Sequence, residues 1–227
     1  MHTSNTKPLL NLTTASIAVV IVATVAIVLA MQGSAWFGPL KTGTTLLILA
    51  FWFVFARDLD RGNYITGAVG FAFCAAGDTA LLYEQGFVYG LSFFLVAHGL
   101  FIVIFRRMAN SPLSVPAFIA VFAISCGYYL ILFSNLVHLA IPVALYMGVI
   151  SVMAAWAVTI WLKQHTTATL LIMLGALSFL VSDSVLAYNR FVSAHTWLHV
   201  VVLSTYWLSL LLIANGAARY RTINQHQ

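Results

Sequence analysis

Eight runs of roughly twenty apolar residues, separated by short breaks that hold most of the charge, leave this chain few ways to fold. A helix of about that length closes its backbone hydrogen bonds internally and spans the hydrocarbon core of a bilayer. The runs cover approximately residues 12–31, 36–55, 63–83, 87–105, 113–133, 138–162, 168–188 and 196–216. Only 7% of the 227 residues are charged while 62% are hydrophobic, at a mean hydropathy of +1.00. A soluble domain carries about 25% charged residues, so this composition excludes one, and it equally excludes a disordered chain. Uninterrupted apolar windows also exclude an outer-membrane barrel, whose strands alternate. The expected fold is an all-α polytopic bundle of eight transmembrane helices forming one membrane domain over 1–227.

Basic residues fix the expected orientation, because Lys and Arg of short loops stay on the cytoplasmic side. Lys7, Arg57, Arg61, Arg106, Arg107, Lys163, Arg219 and Arg221 fall on one side, and only Arg190 falls on the other. That asymmetry predicts cytoplasmic N and C termini and explains the net charge of +5 as a topology signal. The basic residues are dispersed without interleaved aromatics, so no nucleic-acid partner is expected. The first run is longer than a signal-peptide core and is followed by no clear A-x-A site, so it is expected to be retained. Seven spans would invite comparison with retinal proteins, but 196–216 holds no Schiff-base lysine. Cys74 and Cys126 lack C-x-x-C spacing and read as small core hydrophobes. Trp36, Trp52, Trp197 and Trp207 lie mostly near span ends and read as interfacial anchors.

Ionisable residues inside spans are costly in lipid and mark function. They are Lys41, Asp78, His98, Asp183 and His199. At about 1.5 Å per residue, all but His98 fall within roughly 4 to 8 Å of the non-cytoplasmic face, where the glycerol linkage of a phospholipid sits. His98 is deeper. Ser178 and Ser182 share a helix face that Asn189 continues, and Tyr206 lies seven residues beyond His199. Arg190, beside Asn189, is a candidate phosphate contact. A structural ion-pair cluster of Asp78, Asp183 and Lys41 is the bland alternative, as is an interhelical hydrogen-bonding role for His98. Spans three and seven share Gly70 eight positions before Asp78 and Gly175 eight positions before Asp183, a short match compatible with a parallel four-plus-four duplication.

The segments Lys41-Thr42-Gly43-Thr44-Thr45, Ala76-Gly77-Asp78-Thr79-Ala80-Leu81-Leu82, Val96-Ala97-His98-Gly99-Leu100, Gly175 to Ser184 and Tyr206-Trp207-Leu208-Ser209 resemble the YhhN family, which includes the lysoplasmalogenases. The order, spacing and eight-span layout agree over nearly the whole chain. The chain departs from the family at Thr42, where members often carry proline, and at Ser209, where Gln or His often follows the tyrosine. The resemblance therefore assigns the last helix no role beyond that of His199. It implies hydrolysis of the vinyl ether bond of lysoplasmalogen, releasing a fatty aldehyde and glycerophosphoethanolamine or glycerophosphocholine.

Such chemistry needs proton transfer to a vinyl carbon and capture of an oxocarbenium ion by water, a demand met in glycoside hydrolysis by two carboxyl groups. Asp78 and Asp183 are the expected catalytic pair, one neutral in lipid and the other held ionised by Lys41, with their roles left open. Lys41, His98, Ser182, Asn189, Arg190, His199 and Tyr206 are expected to bind substrate or support the pair. No cofactor or metal is expected, and the expected partners are a lysophospholipid and membrane lipid. The expected location is multi-pass in a bacterial inner membrane. Two other classes fit parts of the pattern. His195 and His199 have H-x-x-x-H spacing and with His98 and an aspartate are similar to zinc-dependent membrane hydrolases of alkaline ceramidase type. Buried Asp and Lys residues also serve proton-coupled transporters, although no pair of spans is broken at midplane.

Overall fold

The computed structural model describes residues 11–220, and within them the chain is all-helical. Eight long helices follow one another: α1 (Leu12–Met31), α2 (Phe37–Phe55), α3 (Arg61–Ala80), α4 (Phe87–Ala109), α5 (Val115–Phe133), α6 (Ala140–Gln164), α7 (Thr167–Phe191) and α8 (Thr196–Arg219). Single 3₁₀ turns precede α4 and α6. Lys7 and Arg221, part of the expected topology signal, lie outside the described residues.

Local chemistry sets the ends. Asn11 and Thr166 close capping boxes on α1 and α7, and Asp60 accepts the Asn63 N–H at 3.0 Å to start α3. Pro116 occupies the first turn of α5, where no N–H is required. α4 and α6 stop at Asn110 and His165, both in the left-handed conformation that ends a helix.

Seven of the eight helices are long and apolar enough to cross a membrane, which makes the protein a multi-pass integral membrane protein. The exception is α3, the third expected span. It carries Arg61, Asn63, Thr66, Asp78, Thr79 and four glycines, so its composition falls short of the apolarity of the others. That polarity is sheltered, because α2 and α4 pack along α3 and its Asn63 and Asp78 are buried.

Close helix approach depends on small residues, since lipid supplies no hydrophobic force between helices. α7 and α8 form the most intimate pair: a Cβ on Gly175 would sit 2.8 Å from the Ser209 carbonyl oxygen, and one on Gly216 2.7 Å from that of Ala168. Trp52 lies flat against Gly67, where a Cβ would come within 2.0 Å of its ring. Trp52 and Trp207 are therefore core residues at 1% and 2% exposure, a correction to their reading as interfacial anchors; Trp36 and Trp197 are exposed, as anchors are. A position near a span end does not tell which helix face a tryptophan occupies. Cys74 is buried as expected, but Cys126 lies on the exposed face of α5 and is not a core residue.

Packing repeats under a shift of four helices. α2 packs on α3 and α6 on α7, α3 on α4 and α7 on α8, and α1 on α2 and α5 on α6. The two sets are joined reciprocally, with α4 on α6 and α8 on α2. A parallel internal duplication produces this pattern; the packing of α1 on α8, with no comparable packing of α5 on α4 among the described residues, departs from it.

Candidate active site

The α2 start, the α3 end, the α7 end and the α8 start enclose a cavity of about 460 Å3. Lys41, Asp78, Ser182, Asp183, Asn189, Arg190, His199 and Tyr206 all line it, so eight of the nine residues singled out in the sequence meet at one place. His98 is the one that does not.

Asp78 projects from the last turn of α3 and is 1% exposed. Its Oδ2 accepts hydrogen bonds from Thr45 at 2.6 Å and from Tyr206 at 2.8 Å. Its Oδ1 faces Lys41 Nζ at 3.9 Å, beyond direct hydrogen-bond length but close enough for charge attraction across a medium that screens poorly. Trp207 donates to Thr45 at 3.3 Å, which fixes the hydroxyl that serves the carboxylate. Two donors and a cation thus stand behind Asp78. α8 takes a direct part through Tyr206, which the imperfect family match at this helix did not imply.

Asp183 lies less deeply, its side chain 11% exposed. Tyr146 of α6 donates a short hydrogen bond to its Oδ2. His98 is wholly buried, with Nε2 3.9 Å from the same oxygen and its ring edge-on to Phe179 and Tyr146. Neither ring nitrogen has a hydrogen-bond partner among the described residues, so the reading of His98 as an interhelical hydrogen-bond partner does not hold. An imidazole in this position backs Asp183 from the protein side and stands outside the cavity wall.

The remaining residues divide between wall and scaffold. Ser182 donates to the Val202 carbonyl at 3.0 Å and Ser178 to that of Thr205 at 2.8 Å, so both hydroxyls fasten α7 to α8. Asn189 accepts the His195 N–H at 2.8 Å and shapes the turn between these helices. Arg190 extends over the Phe87 ring at 5.3 Å, at the rim of the cavity. His199 packs edge-on against Phe37 and faces the cavity.

Three residues that the sequence reading did not single out belong to this constellation. Tyr146 is one tyrosine among nine, and nothing in its own helix marks it. Thr45 was visible only as part of the Lys41 segment. Glu84 stands in the turn after α3, at the cavity mouth with Arg190, so three of the chain's five acidic side chains border this one space.

The donor set expected for zinc is not assembled. His195 is exposed at the N-cap of α8, with Nε2 3.0 Å from Ser193, whereas His98 is buried against Phe179. Among the described residues no group of three His, Cys, Asp or Glu side chains is arranged to hold a metal ion.

Residues 37–217 match the YhhN family. The human protein named Lysoplasmalogenase TMEM86B is 34% identical over 187 residues, 82% of this chain and 77% of that one. The rat protein of the same name is 30% identical over 181 residues, 79% and 72% of the respective chains. No solved structure matches significantly. The family match begins at the first residue of α2 and takes in every residue that lines the cavity, and on that ground this chain belongs to the YhhN family.

Proposed function

We propose that this protein is a membrane lysoplasmalogenase, hydrolysing the vinyl ether of a single-chain alkenyl glycerophospholipid to a fatty aldehyde and a glycerophosphodiester. The observation that carries the reading is that Asp78 and Asp183, from helices four apart, border one cavity with different surroundings: a cation and two hydroxyl donors for one, a phenol donor and a buried imidazole for the other. Membership of the YhhN family and likeness to proteins named lysoplasmalogenase support it.

Chemistry follows from the bond. A vinyl ether is cleaved when its β-carbon takes a proton, the ether oxygen then sharing the positive charge of an oxocarbenium ion. One carboxyl group gives that proton. The other, as carboxylate, accepts a proton from the water that attacks the ether-bearing carbon. Collapse of the hemiacetal breaks the carbon–oxygen bond to glycerol, whose oxygen takes the proton back, and the hemiacetal hydroxyl restores the first carboxyl. One water is consumed and both groups return to their starting states. In this scheme Arg190 receives the phosphate at the cavity rim, Lys41 holds one carboxylate ionised, and no metal or organic cofactor takes part.

In the proposed topology α3 crosses with the seven more apolar helices. Both termini lie on the basic, cytoplasmic side, and the cavity opens to the opposite face. The expected setting is a bacterial inner membrane.

The test is incubation of purified protein in detergent with a lysoplasmalogen and, separately, with its saturated ether counterpart. Aldehyde should form from the first only. Equal consumption of both would exclude vinyl ether hydrolysis, because the saturated lipid has no carbon that can be protonated.

A further inference from the structure

A second, almost wholly apolar space, narrow and only about 40 Å3 in volume, adjoins the polar cavity. It lies over α6 between α4 and α7, and Leu91, Val143, Met147, Ile150, Leu180 and Ala187 form its walls. It shares Leu81, Phe87, Phe94, Leu186 and one ionisable residue, Asp183, with the polar cavity. Asp78 borders the polar side alone. The two spaces are therefore neighbours with a common wall, and Asp183 is the acidic residue that borders both.

We propose that this apolar slot seats the hydrocarbon tail of a single-chain lipid, and that Asp183 is consequently the proton donor and Asp78 the base. The inference rests on the function proposed above and deepens it. A polar compartment large enough for a head group, beside a slot whose lining is apolar except for Tyr146, Asp183 and Ser184, matches a molecule with one charged end and one tail. The direction of the molecule then fixes the roles. In a glycerol–O–CH=CH–tail ether, the carbon that takes the proton lies on the tail side, and the carbon that water attacks lies on the oxygen side. With the tail in the slot and the glycerophosphate toward Arg190, the tail-side carbon passes Asp183. The oxygen-side carbon faces the compartment that Asp78 shares with Lys41 and Tyr206. The proton of the Asp183 carboxyl forms the new C–H bond with the electron pair of the double bond. Water gives its proton to the Asp78 carboxylate as its oxygen bonds the other carbon.

Two measurements test the two parts. For the seat, binding of saturated alkyl lysophospholipids with tails of about eight to eighteen carbons is compared between wild type, Ala187→Phe and Val143→Phe; these ligands need no turnover. A ring placed in the slot should cost long tails at least about tenfold in affinity, the worth of two or so buried methylenes, and short tails much less. Binding of every tail length as in wild type by a folded slot variant would overturn the seat. The two substitutions enter from different helices, so a folding failure in one leaves the other to decide.

For the roles, Asp78→Asn and Asp183→Asn are incubated with lysoplasmalogen in deuterium oxide and the unreacted lipid is recovered. Loss of the base leaves protonation reversible, so Asp78→Asn should return lipid deuterated at the tail-side vinyl carbon, while Asp183→Asn should return it unlabelled. Label in Asp183→Asn, or in neither variant, would overturn the assignment. A wild type that consumes no vinyl ether would instead refute the proposed function, and the tail-length binding would still decide the seat.

Discussion

Tyr206 donates its phenolic hydrogen to Asp78 across 2.8 Å, tying the last helix of the chain to the third. Its counterpart is the bond from Tyr146 of α6 to Asp183 of α7. The parallel extends to the helices involved. Asp78 is approached from α2 by Thr45 and Lys41 and from α8 by Tyr206; Asp183 is approached from α6 by Tyr146 and from α4 by His98. Under a shift of four helices α2 becomes α6 and α8 becomes α4, so each aspartate is held by one helix of its own half and one of the other. Neither half could build the site alone. The chemistry has diverged within that frame: where one aspartate meets an amine and two hydroxyls, the other meets a phenol and an imidazole that has no hydrogen-bond partner among the described residues.

Replacing either carboxyl by its amide should abolish the chemistry without unfolding the bundle. Asp78→Asn and Asp183→Asn should each lower turnover at least about a hundredfold, the scale of a lost general acid or base. Helix content and elution in detergent should stay as in wild type. A folded Asp78→Asn protein with near-normal turnover would sink the two-carboxylate mechanism.

The two tyrosines should differ in weight. Tyr206→Phe leaves Asp78 with its Thr45 donor and the nearby Lys41, whereas Tyr146→Phe removes the one side-chain donor that Asp183 has among the described residues. A hydrogen bond to a charged group contributes about 1.5–3 kcal/mol, roughly ten- to a hundredfold in rate if it is realised in the transition state. Steady-state turnover of the two variants should therefore fall more for Tyr146→Phe, and the reverse order would show that Asp183 does not depend on its phenol.

Such differences mark what the sequence discloses and what it hides. A charge inside an apolar run is conspicuous because lipid makes it costly, so Asp78, Asp183, Lys41 and His199 could be picked out by position alone. Tyr146 and Thr45 could not. Their side chains are common in spans, and their importance comes from partners 37 and 33 positions away. Glu84 escaped for a different reason, because an acid in a loop costs nothing until the fold brings it to the mouth of a cavity. Helix number and approximate limits were legible from hydropathy. The polarity of α3 was averaged away over its length, and tryptophan burial, a matter of helix face, was invisible to counting from span ends.

The α7–α8 contact predicts a stability effect remote from any proton transfer. Gly175→Ala and Gly216→Ala would each press a methyl group against a backbone carbonyl at 2.8 and 2.7 Å, and backbone yields only if the helices separate. Overpacking of this kind costs about 1–3 kcal/mol. Thermal unfolding in detergent should report a clear loss for both, while Gly148→Ala, with nothing within 4 Å of its added carbon, should be nearly neutral. Equal melting of all three would mean that the helices are not in the close contact described.

Metal dependence is separable from the carboxylate scheme by one residue. His195 is exposed and makes its side-chain contact with Ser193, away from the buried His98. His195→Ala and prolonged chelation should each leave turnover nearly unchanged. About one zinc per chain, lost together with activity in His195→Ala, would replace the carboxylate reading with a zinc one.

Arg190 offers the last discrimination, between binding and chemistry. It stands at the rim on the Phe87 ring, away from the hydrogen bonds that hold Asp78, and Glu84 borders the same opening. A guanidinium there meets a phosphate before and after the vinyl ether reacts, so its contribution is the same in the ground and transition states. Uniform binding of that kind raises KM when it is removed and leaves kcat alone. Arg190→Ala should raise KM for a lysoplasmalogen about tenfold, within the range of a charge-assisted hydrogen bond, with kcat within about twofold of wild type. The Phe87 ring remains in place, so packing at the rim should survive the substitution. A fall in kcat with KM unchanged would move Arg190 from the head group to the reacting ether, where a charge that stabilises only the transition state would show that signature.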